Sequence, residues 1–268
     1  MGGLACSEQA ALMISLSVIM GGMNMDVLMG RADLHMHTCA SDGIPSAKQI
    51  LEYVERQGVL DVIAITDHDR LDESLWAYSQ RDRYAFDIIP GVEISAVRGH
   101  VIGLWVSEWI PAGLSIPETV GAIHEQGGIA ILAHPGEVLI NGGHVLRYLR
   151  TPSVLVQWEI DAVEVFNAGT MTPGNNVVAR RIMRDLPLPV VGNSDAHTLS
   201  AIGRGWTRFA GRTGADLRTA LLEGHTAAEG QRWSITDYLK LSLNSTPIKR
   251  IRSSVPSSLM TPHVATTD

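Results

Sequence analysis

Cysteine is nearly absent. Cys6 and Cys39 are the two in the chain, too few for a disulfide framework or a thiolate-rich zinc site, and a reduced, cytoplasmic setting is the expectation. Positive charge is not in excess either: 21 Lys and Arg against 28 Asp and Glu give a formal net charge of −7. A general attraction to the phosphate backbone of long nucleic acids is therefore excluded. Long hydrophobic runs are missing as well. The best candidate, ALMISLSVIMGGMNM near the N-terminus, falls short of the roughly 20 apolar residues that cross a bilayer. It also lacks the positive flank and cleavage signal of a secretory leader. No membrane role follows, and residues 1–30 are expected to form a disordered extension. Met23, Met25 and Met29 lie nearer the first motif, so a start codon placed too early would explain it. Neither internal repeats nor low-complexity blocks occur.

What is present is a regular alternation of short apolar runs and helix-like segments from Arg31 to about Thr226, the pattern of strand–helix units and a mostly parallel sheet. Seven runs read as strands: ADLHMH, LDVIAITD, FDIIPGVEIS, HVIGLWV, GGIAILAH, DAVEVFN and LPVVGNSD. Seven strands suit either a barrel or a doubly wound sheet. Ser46 with Gln49 and Ser115 with Glu118 have capping-box spacing. Ile50, Leu51 and Val54 then give the first helix an apolar face that ends near Gly58. Residues 31–232 form the expected catalytic domain. Residues 233–268 follow as a C-terminal helix, SITDYLKLSL, and a disordered Ser/Thr/Pro-rich tail.

The acidic residues and histidines collect at strand boundaries. His35 and His37 end the first run, Asp67, His68 and Asp69 the second, Glu93 the third; His100 opens the fourth, His134 ends the fifth, and Asp195 and His197 end the seventh. The carboxyl ends of parallel strands form one face, where ligands bind. In HMH the two imidazoles share a side because alternate strand residues do, and Asp42 in the SDG turn can fold back over them. Six imidazoles (His35, His37, His68, His100, His134, His197) and three carboxylates (Asp42, Glu93, Asp195), with no thiolate cluster, suit Zn²⁺, Mn²⁺ or Fe²⁺. Nine donors exceed the needs of one ion. Two or three divalent ions with a bridging carboxylate such as Glu93 are expected, an arrangement that activates water and clamps a transferring phosphoryl group.

These motifs, DLHMHTCASDG, VIAITDHD, IPGVEIS, HVIGL, GGIAILAHPGE, AVEVFN and VVGNSDAH, resemble the PHP (polymerase and histidinol phosphatase) family over about three quarters of the chain. The resemblance implies a distorted, TIM-like (β/α)₇ barrel with a two- or three-metal centre at its C-terminal face, and phosphoesterase activity. It further implies that His35, His37, Glu93 and Asp195 hold one ion, that Glu93 bridges to a second held by His100 and His134, and that Asp42, His68 and His197 hold a third. The spacing from Glu93 to His100 is the least regular part of that set. The motif pairing is closest to small stand-alone family members acting on nucleotides or short RNA.

The expected reaction is hydrolysis of a small phosphate ester, a nucleotide or sugar phosphate, by a metal-activated hydroxide. The alternatives are an exonuclease on short oligonucleotides and a carboxylic ester or carbamate hydrolase on the same centre. Asp67 and Asp69 flank a ligand, and one of them is expected to orient an imidazole from behind. Arg204, Arg180, His144 and Asn167 are the substrate-binding candidates, arginine because its fork bonds two phosphate oxygens. Cys39 reads as a bystander and His124 as structural. The oligomeric state is not legible.

Overall fold

The computed structural model describes residues 29–172 and 174–244. Residues 1–28 of the extension expected at 1–30, and the tail from residue 245 onward, lie outside the described residues, while Met29 and Gly30 open the first strand. Nine strands form one sheet in the order β7-β6-β5-β4-β3-β2-β1-β8-β9. They are β1 (Met29–Asp33), β2 (Val62–Ile65), β3 (Asp87–Ala96), β4 (Gly99–Leu104), β5 (Ile129–Leu132), β6 (Ala162–Asn167), β7 (Val190–Asn193), β8 (Gly205–Ala210) and β9 (Ala227–Gly230). The seven expected strands are all present.

The sheet curls until its first and seventh strands meet, giving a nearly closed, distorted TIM-like barrel. Leu34 donates its N–H to Asn193 Oδ1 at 3.0 Å, and His37 donates to Ala196 O at 2.9 Å. Gly192 of β7 lies so close to β8 and β9 that a Cβ there would stand 2.8 Å from Trp206 O and 3.0 Å from Glu229 N, so only glycine fits this seam. Asp33 ties the closure from inside by accepting N–H bonds from Ser194 and Gly203, and its burial pushes its pKa up to about 6.

Two features depart from the sequence-based expectation. Strand β4 is antiparallel to both neighbours, because a tight turn through Val97 and Arg98 (φ 59°) folds it back on β3. Strands β8 and β9 were not expected; β8 runs antiparallel to β1 and β9 antiparallel to β8. Their backbone completes the wall between β1 and β7.

Burial on both faces of the strands explains their near-continuous apolar character. One set of side chains, including Leu34, Val62, Ala64, Ile102, Leu104, Ile131 and Phe209, comes from strands all round the sheet and fills the enclosed space. The alternate set packs against helices. Ile63 and Ile65 meet Ile50, Leu51 and Val54 of α1 (Ala47–Gln57), which starts at the Ser46/Gln49 capping box and stops at left-handed Gly58 (φ 59°). Each fully buried Leu or Ile contributes about 1.5–3 kcal/mol relative to an exposed one.

The remaining helices are α2 (Asp72–Ser79), α3 (Ile116–Glu125), α4 (Val138–Asn141), α5 (His144–Arg150), α6 (Val154–Gln157), α7 (Asn175–Ile182), α8 (Gly214–Glu223) and α9 (Ile235–Asn244). Helix α3 begins at the expected Ser115/Glu118 box. The C-terminal helix α9 packs beside the site. Asp237 is buried there and bonds Ser234 and Ser200. Among the described residues no helix is long and apolar enough to cross a membrane.

Candidate metal centre

The site lies where the strands run out. His35 and His37 follow β1 directly, fully buried, with ring centroids 5.1 Å apart. Met36 between them turns the other way, into the cluster with Ala47, Ile50 and Leu51. His68 follows β2 and forms an isolated bridge with Glu93 of β3. His134 follows β5, and Asp195 and His197 follow β7. His100 joins them because β4 is reversed. Its first turn of chain lies opposite Ser95 near the end of β3, so an N-terminal strand position falls on the same face as the other strands' C-termini.

Asp42 reaches the cluster from the SDG turn. Gly43 donates to Thr38 O at 2.9 Å, and a Cβ on Gly43 would stand 2.3 Å from His37 O. The Asp42 carboxylate then sits 3.2 Å from His197 Nε2, 3.7 Å from His37 Nδ1 and 3.8 Å from His68 Nε2. All nine expected donors therefore come together.

Glu93 is the centre of the arrangement. Its Oε2 lies 3.0 Å from His35 Nε2, 3.3 Å from His37 Nε2 and 3.3 Å from His68 Nδ1; its Oε1 lies 2.8 Å from His100 Nδ1 and 3.1 Å from His134 Nε2. Asp195 Oδ1 adds contacts of 3.2 Å to His37 Nε2 and 3.4 Å to His35 Nε2. Five imidazole nitrogens cannot all hydrogen-bond to one carboxylate, and they do not: His37 Nε2 and His68 Nδ1 are buried without a hydrogen-bond partner, as are the second nitrogens of His37 and His134, both Nδ1.

A buried polar atom left unpaired carries the full desolvation cost, so such atoms call for a ligand. The donors fall into overlapping groups with ligand atoms within 4.8 Å of one another: His37, Asp42, His68 and His197; His35, His37 and Glu93; His35, His134 and Asp195; and His68, Glu93 and His100. This donor set fits divalent cations. His197 sharpens the point. Its Nδ1–H donates to Asp195 O at 2.8 Å, which leaves the Nε2 lone pair facing Asp42, an arrangement that a cation between them would stabilise.

The charges are strongly coupled. Burial alone would lower an imidazole's affinity for protons, but the facing carboxylates of Asp195, Glu93 and Asp42 outweigh it and lift His37 to about 10. Burial tends to raise Asp195 and Glu93, yet the facing imidazoles hold both well below the usual carboxylate range. Without a cation the cluster thus takes up protons, and metal and protons compete for it.

One carboxylate was not foreseen. Glu164 of β6 is buried and accepts from His35 Nδ1 (3.1 Å), the His134 backbone N–H (2.8 Å), Asn167 Nδ2 (2.9 Å) and Asn193 Nδ2 (2.9 Å). It fixes the His35 ring from behind, the role expected of Asp67 or Asp69. Those two brace the loops instead. Asp67 accepts from Thr38 N and Oγ1 and from Ser41 Oγ, holding the turn that carries Asp42. Asp69, at φ 55°, accepts from Ser95 N. The signal for Glu164 was its place as a lone acid in the apolar strand run AVEVF. His134 (φ 28°) and Asp195 (φ 51°) are likewise held in positive φ, strain of the sort that clusters at active sites.

The substrate candidates fare differently. Asn167 is buried and donates to Asp195 Oδ2 at 3.0 Å, so it orients a site carboxylate. Arg204 turns to Ser200 O and Asp237. Arg180 is exposed on α7, and His144 packs with Tyr148 and Trp158, 5.8 Å from each ring. None of these last three lines the cavity of about 240 Å³ that opens beside the cluster, whose walls include His134, Asp195, His197 and Trp233. His124 pairs with Asp161 at 2.8 Å, a structural contact.

A metal-dependent hydrolase centre on a barrel is the class this fold and site define. Residues 173–226 match the family described as PHP-associated. An uncharacterised protein of Methanocaldococcus jannaschii is 31% identical over 172 residues, covering 59% of this chain and 94% of that protein. A 5′-3′ exoribonuclease of Haemophilus influenzae is 27% identical over 199 residues, covering 73% of this chain and 65% of the enzyme. Among solved structures, a two-domain Bacteroides vulgatus protein containing a PHP-like metal-dependent phosphoesterase shares the fold. It matches with a TM-score of 0.61 and 21% identity over 76% of this chain and 65% of that one. The PHP-associated match and the fold shared with PHP-like proteins together support a PHP family phosphoesterase.

Proposed function

We propose that the chain hydrolyses a small phosphate ester, a nucleotide or sugar phosphate, at a centre of two or three divalent ions held by His35, His37, Asp42, His68, Glu93, His100, His134, Asp195 and His197. The observation that carries the reading is Glu93, met by five imidazole nitrogens at 2.8–3.3 Å, with unpaired nitrogens beside them. Mn²⁺, Fe²⁺ and Zn²⁺ all suit imidazole and carboxylate donors. Divalent ions at such a centre supply water of lowered pKa and neutralise the charge on a transferring phosphoryl group.

The chain's own groups do the positioning. Glu164 fixes the His35 ring, Asn167 holds Asp195 Oδ2, and the Asp195 carbonyl keeps the proton of His197 on Nδ1. Asp67 keeps the Asp42 turn in reach of the cluster. We assign the catalytic unit to residues 31–232 with α9 packed on it, and a reduced, cytoplasmic setting to the protein.

The test is phosphate release by Mn²⁺-loaded protein across nucleotides, sugar phosphates and a short oligonucleotide, with and without chelator. Release that the chelator abolishes supports the reading; silence across the panel overturns it. Cleavage of short oligonucleotides is the second reading, favoured by the exoribonuclease likeness over 73% of the chain. A cavity of about 240 Å³ and a net charge of −7 weigh against anything longer.

A further inference from the structure

The cavity beside the cluster has a composition that the phosphoesterase reading leaves unexplained. Its floor is His134, Asp195 and His197, while Trp233, Tyr238 and Leu241 wall it from the C-terminal segment, Ile140 from the short helix α4 after β5 and Met171 from the loop after β6. Among the described residues no lysine or arginine lines it, and beyond the cluster its charged member is Glu137.

The aromatic wall is fixed in place. Trp233 Nε1–H donates to Ser194 O at 2.8 Å, its ring stands edge-on to His197 at 5.8 Å, and Tyr238 lies 5.2 Å away with its hydroxyl on Thr170 O. Gly169 lets the indole approach, since a Cβ there would be 2.9 Å from two of its ring atoms.

Resting on the phosphoesterase reading, we propose that this cavity is the leaving-group subsite. It selects phosphate monoesters whose leaving group carries one uncharged planar ring over open-chain polyol phosphates and over esters bearing a second anionic group. Size supports a single ring: an apolar cavity of about 150 Å³ holds one benzene, and this one measures about 240 Å³. Edge-to-face and offset contacts with Trp233 and Tyr238 favour an aromatic partner beyond its buried area. A second anion in the cavity would lose water beside the Glu137 carboxylate, and no lysine or arginine of the lining would pair with it.

The experiment is calorimetric titration of metal-loaded protein with phenylphosphonate, methylphosphonate and 4-carboxyphenylphosphonate, paired with phosphate release from phenyl phosphate and glycerol 3-phosphate. Wild type should bind phenylphosphonate at least about tenfold more tightly than either of the other two, roughly the worth of one well-packed ring. Trp233→Ala and the milder Tyr238→Ala should shrink the phenyl-to-methyl ratio while methylphosphonate affinity holds. Glu137→Gln should narrow the phenyl-to-carboxyphenyl ratio. Equal affinities in wild type, ratios unchanged in Tyr238→Ala and Glu137→Gln, or no phosphonate bound would overturn the subsite. Selective phenylphosphonate binding with no phosphate released from any ester would instead overturn the phosphoesterase reading.

Discussion

Glu93, His35 and His134 sit on or just past strands whose register is fixed by backbone ladders, whereas Trp233, Tyr238 and Leu241 reach the same floor from a segment that follows the last strand. The first group is polar, buried and mutually charged; the second is apolar and contributes no ion pair to the cluster. In a parallel barrel, side chains at strand ends are aimed by the sheet itself, while the loops and extensions above vary in what they admit. On the proposed function, the contrast divides the site into a part that would hold the ions and a part that would select what enters.

The sharpest way to break that division is Glu93→Gln. Removing the charge that five imidazoles face should cost on the order of 10³-fold or more in phosphate release and lower the bound metal per chain, read by elemental analysis of the same sample. Folding should survive, judged by an unchanged circular dichroism spectrum. Full activity in this variant would move the chemistry away from the strand ends.

Glu164→Gln comes next. Its carboxylate holds His35 from behind, and loss of such a partner typically costs about 10–100-fold in metal affinity or activity. The measurement is Mn²⁺ affinity by titration beside kcat. A smaller loss than for Glu93→Gln would confirm that Glu164 positions a ligand and is not one itself.

Stability against pH sharpens the same comparison. His37 has a folded pKa of about 10 against an ordinary 6.5, so protonation favours the metal-free fold. That stabilisation is complete below about pH 6.5 and is lost as pH rises through 10. The Tm of metal-free protein should therefore fall across this window, and the Tm gain on adding Mn²⁺ should grow across it, because ions need not displace protons at higher pH. A gain that shrinks with pH would contradict the cluster's role. The smallest effects belong to the arginines away from the cavity: Arg204→Ala and Arg180→Ala should change kcat/KM by less than about threefold, since neither side chain lines the cavity.

The same contrast explains what could be read in the sequence. Strand ends, capping boxes and the nine side chains that cluster were legible because continuous apolar runs and helix caps leave local marks, and His or Asp at the close of an apolar run is conspicuous. The reversal of β4 was not, since strand direction depends on a turn at Val97 and Arg98 that carries no glycine at its positive φ. Strand β9, AAEG, has no alternation to read and no fully buried residue; it exists because β8 offers it a ladder. Glu164 hid as an exception within an apolar strand. Trp233 and Tyr238 lay where the strand–helix pattern had already decayed, and nothing local told that the chain returns to the site. Arg204 misled for the converse reason: nearness to His197 in sequence placed it beside Ser200 and Asp237 rather than in the cavity.

The measurement that tests the central claim most directly is phosphate release from phenyl phosphate as Mn²⁺ is titrated into chelator-stripped protein. Release should be absent without metal, rise as the ratio passes through the second equivalent per chain and level off by the third. Release from the metal-free protein, or a plateau at a single equivalent, would contradict a multinuclear centre built on Glu93.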